Sequence, residues 1–311
     1  MYQEHKKAIP VLILVLAGLL CVVSPCTAAI HIQASHDCVL AKGDPLVITG
    51  DGYHNGSAAI WGIGHSFFAH EIIDADPDGT ITWTWDGKVT EKFHSGPLTI
   101  IVQDPGRDRM YSVVTHGSAG TFLSTVTGNT SVLATDVTTM DIPAALDLAD
   151  VLKNRIAGSG TDDSYLLQTV YVEEPALHLS TGEPGRTREV PAGECVVIQG
   201  TMNMAPGNRI AVRIYDTSVI EKTGHRIPVR AIDSAFTGSG VRVNTWEYSL
   251  DTAGLRPGEY LVEIGWDRSA ISGQNAFILT VTGKENWIDS VTKKLLWRTQ
   301  KFSFDCRGSN R

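Results

Sequence analysis

A chain of 311 residues with 42% apolar side chains and a net charge of −8 is long enough for two domains of ordinary size, each with its own core, and too acidic to favour a nucleic-acid partner. The charge is uneven: residues 284–311 hold seven basic and three acidic side chains, a balance of +4, while the body from 30 to 283 carries −13. Five cysteines in a chain of this length exclude a disulfide-dense scaffold.

Lys6 and Lys7 precede an apolar run from Ala8 to Val23, followed by Ser24-Pro25-Cys26-Thr27-Ala28-Ala29. That order predicts a secretory signal peptide over residues 1–29. Retention as a membrane anchor is the rival reading, although the run is short for a spanning helix and contains Pro10. Removal of the leader takes Cys21 and Cys26 with it and leaves Cys38, Cys195 and Cys306 as disulfide candidates. Either one bridge and one free thiol form, or at least one of these cysteines is a small buried hydrophobe. The apolar stretch Cys195-Val196-Val197-Ile198 favours the second.

Two stretches read alike, Lys42-Gly43-Asp44-Pro45-Leu46-Val47-Ile48-Thr49-Gly50 and, 150 residues later, Ala192-Gly193-Glu194-Cys195-Val196-Val197-Ile198-Gln199-Gly200. Each is followed by a Trp-bearing strand (Ile81-Thr82-Trp83-Thr84-Trp85; Val243-Asn244-Thr245-Trp246-Glu247-Tyr248) and then by a strand after a Gly-Pro or Pro-Gly turn. Short alternating strands rich in Val, Ile, Thr, Tyr and Trp and punctuated by turn residues predict an all-β protein. The expected fold is therefore all-β, with two β-sandwiches, residues 30–125 and 176–283, joined by a segment over 126–175 with one short helix. In that segment Asp141 caps, Pro143 suits the first turn, and Ile142, Leu146, Ala149, Leu152 and Ile156 predict a helix near 142–157 that packs across the junction. The Trp residues read as core rather than as a ligand platform. The basic tail, 284–311, reads either as a helix bearing Trp287, Val291 and Leu295 that contacts an anionic membrane surface peripherally, or as a solvated terminus.

Together these motifs resemble the secreted Ig-like-repeat proteins of methanogenic archaea, a surface-layer-associated type of family whose biochemical role is not established. The resemblance is carried by Ala58-Ala59-Ile60-Trp61-Gly62-Ile63-Gly64 before Phe67-Phe68, by Asp162-Asp163-Ser164-Tyr165 leading to Val172-Glu173-Glu174-Pro175, by the stretch from Gly193 through Asn203 to Pro206-Gly207, and by Asn244-Thr245-Trp246 with Pro257-Gly258-Glu259-Tyr260-Leu261-Val262. It implies an extracellular, cell-surface location and that both sandwiches are Ig-like, and it brings no catalytic residue with it. Similar chains often end in a hydrophobic anchor or sorting segment, and this one ends in the basic tail.

The sequence holds no recognisable catalytic machinery. His70-Glu71-Ile72-Ile73-Asp74 has Asp where a zinc-protease helix needs its second His, and no Gly-x-Ser-x-Gly elbow or Walker loop occurs. His31, His36 and Cys38 lie close enough in sequence to bind a soft metal, a mobile terminus being the other reading, while His54, His65, His70, His94 and His116 crowd the first domain with a spacing that matches no ligand pattern. Asp74, Asp76 and Asp78, with Gly79 after them, match the first half of a calcium loop, and a weak extracellular calcium site is one reading. A hairpin turn is the other, because Trp85 stands where the loop's closing Glu is needed. Asn55-Gly56-Ser57 and Asn129-Thr130-Ser131 are sequons, so Asn55 and Asn129 are candidate glycosylation sites. No cofactor other than calcium is expected. The expected function is a non-enzymatic structural or interaction protein of the cell envelope, with envelope proteins, polysaccharide or further copies of itself as partners; the alternative is an adhesin or carbohydrate-binding module.

Overall fold

The computed structural model describes residues 29–53, 56–115, 121–124, 132–134, 136–158, 160–180, 187–240, 243–266 and 275–283. In the first sandwich, β1 (Ala29–Gln33), β3 (Leu46–Asp51) and β6 (Ile81–Trp85) form one antiparallel sheet. It faces a five-stranded sheet made of β2 (Val39–Ala41), β4 (Ser57–Gly64), β5 (Phe67–Asp74), β7 (Gly96–Asp104) and β11 (Ser164–Glu173), in the order β2-β11-β7-β4-β5. Alternate residues of the two sheets interleave: Ile32, Leu46, Ile48, Ile60, Ile81, Trp85, Leu98, Ile100 and Val102 make one buried cluster, as the period of two requires.

The outward-facing side of the five-stranded sheet is apolar as well. Ala59, Trp61, Ile63 and Ile101 alternate with the inner set and are themselves 0–1% exposed, so this face needs a cover. The insertion between β7 and β11 supplies it. This stretch contains the small strands β8 (Val113–Thr115), β9 (Thr121–Ser124) and β10 (Val132–Ala134), paired in the order β10-β9-β8, and the helix Ile142–Ile156. A four-residue helix, α1 (Gly87–Thr90), precedes it, and the longer helix is α2. Asp141 caps α2 by accepting from the Ala144 N–H at 2.9 Å, and Ala145, Leu148, Ala149, Leu152 and Ile156 pack with Trp61 and Ile101.

The expected connector over 126–175 is therefore corrected. The strand within it, β11, is the last strand of the first sandwich, antiparallel to β7 from Ser164↔Asp104 to Val172↔Gly96 and parallel to β2. The helix does not bridge the two domains but covers β4 and β7, because those strands are apolar on both faces and would otherwise expose one of them. The predicted helix face shifts slightly too, with Leu148 buried and Leu146 exposed.

In the second sandwich eight strands run in the order β12-β14-β17-β16-β15-β18-β19-β13: β12 (Leu177–Leu179), β13 (Thr187–Pro191), β14 (Cys195–Met202), β15 (Ile210–Asp216), β16 (Pro228–Gly238), β17 (Asn244–Asp251), β18 (Gly258–Trp266) and β19 (Ala276–Thr282). Strand β17 alternates strictly between buried and exposed residues, burying Trp246, Tyr248 and Leu250 in a core with Val196, Ile198, Ile214, Val262 and Leu279. The residues gained by this copy form the helix α3 (Thr217–Thr223) and the long β16, which pairs with β15 at one end and with β17 at the other.

The repeat holds at the level of single hydrogen bonds. Gly43 and Gly193 occupy equivalent turns with φ of 88° and 87°. The fully buried Thr90 donates its hydroxyl to the Asp44 carbonyl at 2.7 Å, and the fully buried Thr252 does the same to the Glu194 carbonyl at 2.7 Å. Each sandwich also closes on a parallel pair of an early strand with its last, β2 with β11 and β13 with β19.

Candidate functional site: the joint between the sandwiches

The turn between β2 and β3 carries Asp44 into the second sandwich. Its carboxylate is 1% exposed and accepts three hydrogen bonds: from the Ser35 hydroxyl at 2.8 Å, from the Ala205 N–H at 2.6 Å and from the Asn208 amide at 2.7 Å. Two of these donors belong to the other sandwich. No cation is paired with Asp44 among the described residues; neutral dipoles alone hold the charge, and bonds to an ionised acceptor are the stronger kind.

The surrounding residues extend the joint. Asn208 accepts from the Trp266 indole at 3.1 Å, and Trp266 lies against Gly43, where a Cβ would meet the ring at 2.8 Å. Buried Asn244 donates to the Ser35 carbonyl at 2.9 Å and to the Met204 carbonyl at 2.7 Å, tying β17 back to the first sandwich. Asn203 donates to the Glu173 carboxylate and the Glu174 carbonyl and accepts from the Ala176 N–H, which fixes the connecting residues. Ala41 completes the seal by packing into the core of the second sandwich. Beside the joint opens a cleft of about 760 Å³ lined by Lys42, Asp86, Lys88, Glu91, Glu174 and Trp266, in which Lys42 and Glu174 are paired.

The residues singled out from sequence are not drawn together. Asp74 ends β5, and Asp76 and Asp78 lie in the turn that crosses from β5 in the five-stranded sheet to β6 in the three-stranded one. Thr80 donates its hydroxyl to Asp78 at 2.8 Å and to Asp76 at 3.3 Å, the Thr80 N–H reaches Asp78 at 3.0 Å, and Gly79 takes φ of 85°. No group of three His, Cys, Asp or Glu side chains converges on a metal position among the described residues. The turn is not the expected hairpin, because the strands on either side of it belong to different sheets.

The histidines are equally dispersed. His36 sits at the joint, with Nε2 3.4 Å from the Gly240 carbonyl, while His31 lies on β1 and Cys38 is an exposed free thiol. His65 and His94 face each other with ring centroids 4.7 Å apart. His70, on β5, stacks on Trp61 with centroids 3.9 Å apart, shares a 3.2 Å contact between Nδ1 and the Thr115 hydroxyl, and has a buried Nε2 with no hydrogen-bond partner among the described residues. Burial lowers its pKa to about 4. Cys195 is disulfide-bonded. Its side chain lies on the outer face of β14 with the exposed Val197, between the inward Val196 and Ile198, so the apolar run did not place it in the core. His54, Asn55, His116, Asn129, Cys306 and the basic tail lie outside the described residues.

The joint itself was not singled out from sequence. Lys42-Gly43-Asp44 was visible as a repeat element, and the shift from Asp44 to Glu194 between copies was the one available sign that the two turns serve different ends.

No protein-family model and no curated protein matches the chain. Among solved structures it is similar to the fibronectin(III)-like modules of CbhA from Clostridium thermocellum (10% identity, 82% of this chain and 95% of that one, TM-score 0.22). It is similar as well to a 1.5-MDa bacterial ice-binding adhesin (11%, 82% and 64%, 0.23) and to the polymeric Ig receptor ectodomain of a teleost fish (12%, 82% and 100%, 0.26). At these TM-scores the likenesses carry no argument. The Ig-like sandwich class stands on the strand pairing described above.

Proposed function

We propose that this chain is a non-enzymatic, extracellular structural protein of the cell envelope, in which two sandwiches held in one fixed orientation act as a spacer or coat element. The joint carries the reading: a buried carboxylate with three donors, a buried Asn bridging two carbonyls and an interlocked Gly–Trp contact resist reorientation, whereas domains meant to move meet through small wet contacts. Aromatic placement supports a structural element over a carbohydrate platform. Trp61, Trp85, Trp246 and Trp266 are 0–7% exposed, and Tyr171 is the one aromatic among the exposed large apolar residues described. The disulfide at Cys195 suits an oxidising, extracytoplasmic compartment, and no described helix is long and apolar enough to cross a membrane. Peripheral attachment through the basic tail belongs to the same reading.

Fractionation of the native envelope tests it. The chain should sediment with the envelope and leave it in high salt as the tail's charges are screened, or only with reductant or detergent if it is cross-linked or anchored. A chain found wholly in the medium as a monomer would overturn the proposal.

A further inference from the structure

We propose that His65 and His94 form a binding site on the first sandwich for one divalent transition-metal ion, Cu²⁺ in preference to Ni²⁺ or Zn²⁺. Their rings face each other with centroids 4.7 Å apart and planes tilted by 43°. Neither ring makes a hydrogen bond or an ion pair with a described residue, so their nitrogens keep lone pairs to offer. Other histidines are already engaged: His36 contacts the Gly240 carbonyl, and His70 is packed on Trp61 and held by Thr115.

One aromatic contact holds the pair in place. The register Gly64↔Phe67 leaves His65 and Ser66 as the two-residue turn between β4 and β5, with Phe67 directly after it. His94 follows Phe93, which is buried and packs on Phe67 with ring centroids 4.3 Å apart and edge-on to Trp85 at 6.2 Å. The turn is pinned from a second side as well. Ser66 takes φ of 49°, and its N–H donates to the Met140 carbonyl at 2.8 Å, next to the Asp141 cap of α2. Both backbones are therefore fixed before a ligand arrives, and a preformed pair avoids the ordering cost of bringing two side chains together.

The spacing suits a shared ion. An imidazole nitrogen binds such ions at about 2.0–2.1 Å, which puts the ion roughly 3.2 Å from the centroid of each ring. Centroids 4.7 Å apart then subtend about 95° at the ion, close to the angle between adjacent positions of a square-planar or tetragonal shell. Such a shell belongs to Cu²⁺ and Ni²⁺, and Cu²⁺ stands highest in the order of affinities, whereas Ca²⁺ and Mg²⁺ take oxygen ligands. The tilt of the rings opens a wedge into which one nitrogen of each can turn. No third His, Cys, Asp or Glu converges there among the described residues, which leaves the other positions to water. With His65 half-buried and His94 exposed, the ion reaches the pair from solvent.

The test uses the untagged secreted chain carrying Cys38→Ser, so that the exposed thiol does not reduce the copper, titrated with copper(II) chloride by calorimetry and followed by electron paramagnetic resonance. The expected result is one ion per chain, coupled to two imidazole nitrogens and not displaced by excess Ca²⁺ or Mg²⁺. His65→Ala and His94→Ala should each weaken binding about tenfold or more and leave coupling to a single imidazole, while His31→Ala leaves the affinity unchanged. In the chain with both histidines intact, added Zn²⁺ should shift the ring C–H resonances of His65 and His94 together and leave those of His70 in place, a readout that needs no substitution in the pair. Binding that survives either His→Ala change at full strength, binding lost in His31→Ala, Zn²⁺ shifts confined to other histidines, or no one-to-one binding overturns the proposal, whatever the envelope fractionation shows.

Discussion

Replacing Asp44 by Ala removes the acceptor shared by Ser35, Ala205 and Asn208. Two of those bonds cross between the sandwiches, and a hydrogen bond to a charged group contributes about 1.5–3 kcal/mol, so the coupling between the domains should fall by about 3–6 kcal/mol. That is comparable with the whole stability of a small domain, about 5 kcal/mol at the low end. The wild-type chain should unfold in urea in one transition, seen alike by Trp fluorescence and by hydrogen exchange in β3 and β17. Asp44→Ala should split it into two transitions and broaden the distance distribution in small-angle scattering. Asp44→Asn, which places a donor among donors, should give a smaller change in the same direction. A single transition with an unshifted midpoint and an unaltered scattering curve would show that the joint does not depend on this carboxylate.

Gly43→Ala combines an unfavourable φ of 88° with a Cβ 2.8 Å from Trp266 and should lower stability by about 1–3 kcal/mol, with a change in Trp266 emission. Thr90→Val and Thr252→Val remove equivalent bonds, and each should cost about 1–2 kcal/mol in its own sandwich, read by domain-resolved hydrogen exchange. His70 titrates near 6.5 when unfolded and at about 4 in the fold; between these values the unfolded chain binds the extra proton, so stability present above pH 6.5 is lost as pH falls toward 4. His70→Gln should flatten that slope in thermal melts taken from pH 7 to pH 4. Trp61→Ala empties a site that is 0% exposed and should cost about 3–5 kcal/mol, measured by urea denaturation.

The repeat was legible because it is written in local chemistry: a Gly turn at positive φ, an alternating strand and a Trp strand, at offsets that place Asp44 against Glu194 and Thr90 against Thr252. The insertion was not, since the pairing of β11 with β7 and β2 joins residues far apart in sequence and leaves no local mark. One sign was present in Ser57-Ala58-Ala59-Ile60-Trp61-Gly62-Ile63-Gly64 and in Leu98-Thr99-Ile100-Ile101-Val102. Strands apolar at successive positions have both faces covered, and the amphipathic helix was the cover at hand. The joint was illegible for another reason. A lone Asp in a turn looks like solvent-exposed punctuation, and only the second sandwich, by bringing Ala205 and Asn208 to it, makes it buried.

The parallel pairing of an early strand with the last one in each sandwich has a mechanical consequence. In β13 and β19 the register runs from Thr187↔Ile278 to Pro191↔Thr282, so a pull applied at Thr187 and at Thr282 drags these strands past each other along their length. All the bonds of the pair then bear the load together instead of parting one at a time, and the same holds for β2 and β11. Resistance to such a pull is set by the rate of unfolding rather than by equilibrium stability, which gives a chain of this build tensile strength.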